Sequence, residues 1–274
     1  MWQAHTIEAN GLSLHYHRTG GDKPPMILLH GITDMGLCWE DVAHSLEADY
    51  DIIMPDVRGH GSSDIPESND TFEPLVEDAN ALIQALEIED PILFGHSLGA
   101  ITSLSLAGYY PDVPRAIILE DPPPWWMPSD NDTSDAQTER VIGARDRLKS
   151  LKNKSADELV AMQRAETPHW SDNELKNWAQ SKLKVSLGVP DLFGATDFTT
   201  WDWANILAQV QCPTLLITGD TDKGAIVNTV AADNLKSHIA QLQVDHITGT
   251  GHSIHRDDFD ACMRAVKSFL NEIK

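Results

Sequence analysis

The stretch Gly95-His96-Ser97-Leu98-Gly99 directly follows the apolar run Ile92-Leu93-Phe94 and leads into the nearly uncharged run Leu98–Tyr109. A G-x-S-x-G segment between a strand and a helix permits few backbones. The chain must reverse within a few residues, which puts the serine in strained geometry, and the two glycines leave room for neighbouring backbone to pass closely. The Ser97 hydroxyl then stands exposed above a sheet, at the positive end of a helix.

The surrounding sequence supplies that context. His5–Glu8 and Leu12–His17 flank Asn10-Gly11, a hairpin signal. Short apolar runs at Pro25–Leu29, Tyr50–Met54, Pro91–Phe94 and Arg115–Leu119 read as strands covered on both faces. Between them, Trp39–Leu46, Phe72–Leu86 and Leu98–Tyr109 read as helices; Leu75, Val76, Ala79, Leu82, Ile83 and Leu86 recur at the helical period. The rhythm predicts an α/β fold with a mainly parallel sheet and helices on both faces.

The rhythm breaks at Pro122-Pro123-Pro124 and resumes with the strand Pro213–Thr218, the helix Ala225–Ser237, the strand Gln241–Ile247 and the closing helix Asp257–Ile273. The interruption holds helix candidates at Asp135–Leu151, Ser155–Ala165 and Asp172–Leu187. Its charge sets it apart: residues 122–207 carry 13 acidic and 10 basic side chains, against 21 and 4 in residues 1–121. Trp125, Trp126, Trp170, Trp178, Trp201 and Trp203 all fall here, so the insert reads as a helical lid over residues 122–204 on a core formed by 1–121 and 205–274. Those six rings are candidate substrate contacts; the plainer alternative is that they dock the insert on the sheet.

A serine hydroxyl needs a base. His252, in Gly249-Thr250-Gly251-His252, follows the last strand, in a loop able to reach back over the sheet edge. The base needs a carboxylate to fix its tautomer. Asp222, in Gly219-Asp220-Thr221-Asp222, completes the chain order expected for this turn; Asp220 competes with it, and Glu120 and Asp121 after the strand that follows the Ser97 helix are a further possibility. The developing oxyanion needs two donors, assigned to the backbone amides of Leu98 and of Ile32, the latter in His30-Gly31-Ile32-Thr33-Asp34. His30 is also a candidate substrate contact. Asp56–Ser63 lacks a dinucleotide fingerprint or a P-loop lysine and reads as a structural turn braced by Asp56 and Arg58.

The formal charge of -22 argues against a nucleic-acid backbone or an anionic membrane surface as partner. No zinc, calcium or paired-cysteine motif occurs, so no metal and no cofactor is expected. Three cysteines give no disulfide framework and favour a reducing compartment. No secretory leader and no apolar run of membrane-spanning length is visible, so a cytoplasmic location is expected.

Taken together, His30-Gly31, Asp56–Ser63, Gly95–Gly99, Asp222 and Gly251-His252 resemble the α/β-hydrolase superfamily, of the kind with a helical cap. The resemblance covers nearly the whole chain. It implies an eight-stranded, mostly parallel sheet, a cap inserted after the sixth strand, Ser97 as nucleophile, Asp222 as acid and His252 as base. Haloalkane dehalogenases and epoxide hydrolases of this superfamily use an Asp where Ser97 stands. Some relatives with lactone substrates take their acid from the Glu120-Asp121 strand end.

The leading expectation is hydrolysis, by water, of a small-molecule ester whose acyl or alcohol part is bulky and apolar, through an acyl-enzyme. A lactone uses identical chemistry. A peptidase reading would want Glu120, Glu139, Glu166 and Glu174 gathered under the cap. C–C bond hydrolysis, cofactor-free dioxygen or perhydrolase chemistry, and a non-catalytic ligand receptor are the remaining alternatives. Monomer and homodimer both stay open.

Overall fold

The computed structural model describes residues 2–65, 71–127, 134–197 and 200–273. The N-terminal strands β1 (Gln3–Ala9) and β2 (Leu12–Arg18) pair antiparallel in full register, from Gln3 opposite Arg18 to Ala9 opposite Leu12. Asn10 and Gly11 both take positive φ, 50° and 73°, as a two-residue hairpin turn requires. The other strands are β3 (Pro25–Leu29), β4 (Asp51–Pro55), β5 (Ile92–His96), β6 (Ala116–Glu120), β7 (Thr214–Thr218) and β8 (Leu242–His246). They form one eight-stranded sheet in the order β1-β2-β4-β3-β5-β6-β7-β8, antiparallel only at β1–β2 and β2–β4.

The central strands β3 to β7 are covered on both faces. Ile27, Leu29, Leu93, Ile117, Leu119 and Leu216 point into one core with α2 (Glu73–Ala85), α3 (Leu98–Tyr109), α8 (Trp203–Ala208) and α9 (Thr229–His238). Their neighbours Met26, Leu28, Ile92, Phe94 and Ile118 point into the other, with α1 (Glu40–Leu46) and α11 (Phe259–Glu272). This alternation is the strand period of two, satisfied apolar on both sides. The buried charges beside the sheet are paired: Arg58 donates to both carboxylate oxygens of Asp78, at 2.6 and 2.7 Å. Asp56 accepts from the amides of Gly36 and Ser62 and so pins the Asp56–Ser63 turn.

Between β6 and β7 the described residues form α4 (Ser134–Lys152), α5 (Ala156–Glu166), α6 (Asp172–Lys184), α7 (Val189–Ala195) and α8. Ser155 and Glu158 form a reciprocal capping box at the start of α5, and Ser171 caps α6. Leu159, Trp170, Leu175, Trp178 and Ala179 give this cap a small core of its own. Among the described residues no helix is long and apolar enough to cross a membrane.

Two element boundaries depart from the periodicity. The helix expected from Ala225 begins only at Thr229, capped by Asn228. The stretch before it stays outside the helix because the amides of Ile226 and Val227 are taken by the Asp121 carboxylate, at 2.9 Å each. The closing helix expected from Asp257 begins at Phe259, capped by Asp258, and a short α10 (Ile254–Asp257) precedes it.

Candidate active site

The turn after β5 explains its two glycines. Ser97 sits at φ 51° and ψ -112°, in the left-handed region that a side chain rarely occupies. A Cβ on Gly95 would lie 2.2 Å from the carbonyl oxygen of Gly99, and one on Gly99 would lie 1.9 Å from that of Leu29. The amide of Ser97 donates to the carbonyl of Glu120, tying the turn to β6. Leu98 opens α3, so its N–H belongs to the helix terminus that lacks intrahelical partners.

Ser97 and His252 line one cavity of about 360 Å³ between sheet and cap, with Ile32, Thr33 and Asp34 on its floor. Its cap wall includes Arg147 and Leu148 of α4, Gln163 and Glu166 of α5, and Trp170, Trp178 and Lys182. The His252 ring donates through Nδ1 to Oδ2 of Asp121 at 2.6 Å, leaving Nε2 as the nitrogen free to accept a proton. Asp121 is wholly buried, one residue past β6, at φ 42°. Its Oδ2 also accepts from Ile226 and its Oδ1 from Val227, so the carboxylate is held by three donors.

This geometry corrects the expectation for the acid. Asp222 lies exposed on the 3-10 turn after β7 and is not the residue paired with His252. Asp220 accepts from the Gly249 amide at 2.7 Å and pairs with Nε2 of His246 at 2.9 Å. Glu120 is occupied by His255, accepting from its amide and from its Nδ1 at 2.8 to 2.9 Å. Burial alone would raise Glu120; the neighbouring His255 and His96 outweigh it and bring it down to about 2. The physical reason lies in the sheet: β6 adjoins β5, with His96 opposite Glu120, so a residue just past β6 is next to the Ser97 turn. A carboxylate pair ending an apolar strand is costly unless used, and that was the signal pointing to Asp121.

The turn through Gly31 to Asp34 is braced from below. Thr33 takes φ 66°, and its amide donates to Nε2 of His60, whose Nδ1 donates to the carbonyl of Arg58. Burial pushes His60 down to about 3, keeping the ring neutral and Nε2 an acceptor. Gly31 has no room for a side chain, since a Cβ would lie 2.7 Å from Nδ1 of His96. His96 in turn donates from Nε2 to the carbonyl of His252 at 3.0 Å, and burial pushes it too down to about 3.

Among the candidate substrate contacts, Trp170 and Trp178 are on the cavity wall and the others are not. Trp125 and Trp201 pack against Phe72, and Trp203 stacks on Trp201 at 5.4 Å in the same core. Trp126 is buried and donates to the carbonyl of Ala231. These four dock the insert, because wide rings bury more area against the sheet's helices than over a polar cavity. His30 is buried behind the turn, donating to the Gly31 carbonyl and accepting from the Val57 amide. The four glutamates of the peptidase reading are not gathered: Glu166 lines the cavity, Glu174 bonds Arg256, Glu120 bonds His255 and Glu139 is exposed.

The cavity is more charged than its tryptophans imply. Asp34, Lys182 and Arg256 line it and are nearly fully buried, while Arg147 is exposed to its space. Sequence periodicity carried no sign of these residues, since each sits on a different element. Among the described residues no group of His, Cys, Asp and Glu is placed to hold a metal ion. Cys38, Cys212 and Cys262 are free and buried, and burial pushes Cys38 up to about 12.

A family profile described as alpha/beta hydrolase fold matches residues 24–259. The N-formylmaleamate deformylase of Pseudomonas putida is 26% identical over 97% of this chain and 95% of its own length. The 2-(acetamidomethylene)succinate hydrolase of Mesorhizobium japonicum is 25% identical over 93% of this chain and 90% of its own. Among solved structures, an E-2-(acetamidomethylene)succinate hydrolase superposes with a TM-score of 0.80 at 20% identity, covering 99% of this chain and 100% of that one.

Proposed function

Because the chain belongs to the α/β-hydrolase fold family, we propose that it is a serine hydrolase acting on a carboxylic ester or amide bond of a small molecule. The observation that carries this reading is the placing of Ser97 and His252 on one cavity, with Asp121 on His252 Nδ1 at 2.6 Å. Ser97 Oγ attacks the carbonyl carbon while His252 Nε2 takes its proton. The amides of Ile32 and Leu98 receive the oxyanion. His252 then gives the proton to the departing alcohol or amine, and a water, activated by the same ring, releases the acid from Ser97. Asp121 keeps the imidazole in the tautomer with Nδ1–H and stabilises the imidazolium.

The bulky, apolar substrate expected from the tryptophans gives way to a smaller polar one. Arg147 faces the cavity as a cation that no carboxylate among the described residues neutralises. An exposed guanidinium lining the cavity that holds the nucleophile suits a substrate carboxylate. The names of two relatives, a maleamate deformylase and a succinate hydrolase, favour an amide of such an acid over a neutral ester.

The test is a panel of p-nitrophenyl acetate, a simple lactone and N-acyl amides with and without a carboxylate, run on the wild type and Ser97→Ala. Turnover lost in Ser97→Ala supports the serine mechanism, and a preference for the carboxylated amide supports the substrate class. Unchanged turnover in Ser97→Ala would overturn the first; equal rates on neutral and anionic amides would overturn the second.

A further inference from the structure

Four buried charges form a closed set against the cavity: Asp34 on the oxyanion turn, Glu174 and Lys182 on α6 of the cap, and Arg256 on α10. Two are acids and two are bases, so the set is neutral and offers a ligand no net charge. Its geometry is unusually complete. The Lys182 ammonium has three protons and gives them to the carbonyl of Thr33, the hydroxyl of Thr33 and Oδ1 of Asp34, each at 2.9 Å. Arg256 donates to Oδ2 of Asp34 at 3.0 Å and from Nε to Glu174 at 2.8 Å. Burial would raise Asp34, yet Arg256 and Lys182 hold it well below the usual carboxylate range.

Asp34 and Arg256 adjoin segments the proposed reaction needs, and Lys182 and Glu174 tie them to the cap. Asp34 and Thr33 continue the turn that presents the Ile32 amide. Arg256 begins four residues after His252, and its neighbour Asp257 accepts from the Gly251 amide at 2.7 Å and from the Trp170 indole at 3.0 Å. The Trp170 ring lies 5.2 Å from the Arg256 guanidinium, and Lys182 sits 5.2 Å over Trp178. The cap therefore grips the oxyanion turn through Lys182 and the base loop through Arg256, with Asp34 joining the two grips.

Buried ion sets contribute little net stability compared with apolar packing, so their worth lies in fixing an arrangement. Thr33 at φ 66° is a turn that needs fixing. We propose that Lys182 and Asp34 are positioning residues, which hold the Ile32 amide and the His252 loop in working order only while the cap is docked. This inference rests on the serine-hydrolase reading above.

The experiment measures kcat and KM on p-nitrophenyl acetate per titratable Ser97, counted with a fluorophosphonate, so that misfolded protein drops out. The variants are Lys182→Met, Asp34→Asn and their double mutant, with Ser97→Ala assayed per total folded protein because it has no serine at that position to titrate. Lys182→Met keeps an apolar stem of similar length and removes the ammonium with its three hydrogen bonds. We expect kcat to fall about 10- to 100-fold with KM within about threefold, less than the roughly 100- to 1000-fold that deleting an oxyanion donor outright costs, because the Ile32 amide is displaced and not removed. The double mutant should be no worse than the poorer single, since the two act as one clamp. Lys182→Arg, which keeps the charge, should recover part of the loss. If Lys182→Met does not fold, Thr33→Ala, which deletes one of the three acceptors, carries the same test and should lower kcat at least about threefold. A kcat per titrated Ser97 within twofold of wild type overturns the inference, even if melting falls. Turnover surviving in Ser97→Ala overturns the reading beneath it instead.

Discussion

Asp121→Asn separates the two carboxylates that chain order and geometry nominate. In the wild type Oδ2 of Asp121 faces two donors, the His252 Nδ1–H at 2.6 Å and the Ile226 amide at 2.9 Å, while Oδ1 faces the Val227 amide at 2.9 Å. An asparagine can present its oxygen to only one side. If the amide nitrogen faces His252, the ring must rotate its proton to Nε2 so that Nδ1 can accept. Nε2 then cannot take the proton of Ser97. If the nitrogen faces Val227 instead, a buried donor meets a donor, at a cost of about 1 to 3 kcal/mol in stability. The first arrangement leaves the Ile226 amide facing a donor at the same cost, so neither is spared in stability; the first removes the base outright, and the second leaves the imidazolium without a carboxylate to stabilise it. A wrong tautomer in such a triad lowers kcat about ten-thousand-fold, which is about 5 kcal/mol of barrier.

The assay is p-nitrophenyl acetate turnover at pH 8, with circular dichroism to confirm folding. Asp121→Asn should lose about a thousand-fold or more in kcat, and the exposed Asp222→Asn should stay within about twofold. Near-wild-type turnover in Asp121→Asn beside a collapse in Asp222→Asn would refute the argument from strand adjacency.

Gly99→Ala forces a Cβ to within 1.9 Å of the Leu29 carbonyl and should cost about 3 kcal/mol or more in a urea melt. Trp203→Ala should lose about 3 kcal/mol of stability yet leave KM within about twofold, because its ring docks the insert away from the cavity. Arg147→Gln should raise KM about tenfold for a carboxylated substrate and leave a neutral ester unaffected; equal effects on both would remove the carboxylate from the proposal. His96 binds its proton less readily folded, at about 3, than unfolded, near 6.5, so its contribution grows with pH across that window. From pH 7 to 4.5 the wild type should lose about 3 kcal/mol through this group, and His96→Gln, which can still donate to the His252 carbonyl, should show a correspondingly shallower decline in urea midpoint.

What could be read from the sequence follows physical range. The strands β3 to β7 were legible because a residue covered on both faces has little choice but to be apolar. The Ser97 turn was legible because its steric demand falls on Gly95 and Gly99, within two residues. The acid was not settled, because two strand ends offer carboxylates and the choice depends on which strand lies beside β5. The helix boundary at Thr229 was missed for the same reason: the amides of Ile226 and Val227 are claimed by Asp121, more than a hundred residues earlier in the chain. The tryptophans misled because a ring on a cap packs equally well toward the sheet or toward the cavity, and amphipathic period does not tell these apart. Asp34, Glu174, Lys182 and Arg256 left no local pattern at all, since their pairing exists only once the cap is folded over the sheet.

The proposed place of the acid, directly beyond β6, also bears on the connection after β7. On that proposal the connection after β7 supplies no acid but braces the base loop: Asp220 accepts from the Gly249 amide at 2.7 Å, and a Cβ on Gly219 would lie 2.6 Å from the Gly251 carbonyl oxygen. A foreign loop, a tag or a second module spliced into its exposed 3-10 turn would therefore pull on the segment that carries His252, through the bonds of Asp220 and Lys223 to Gly249.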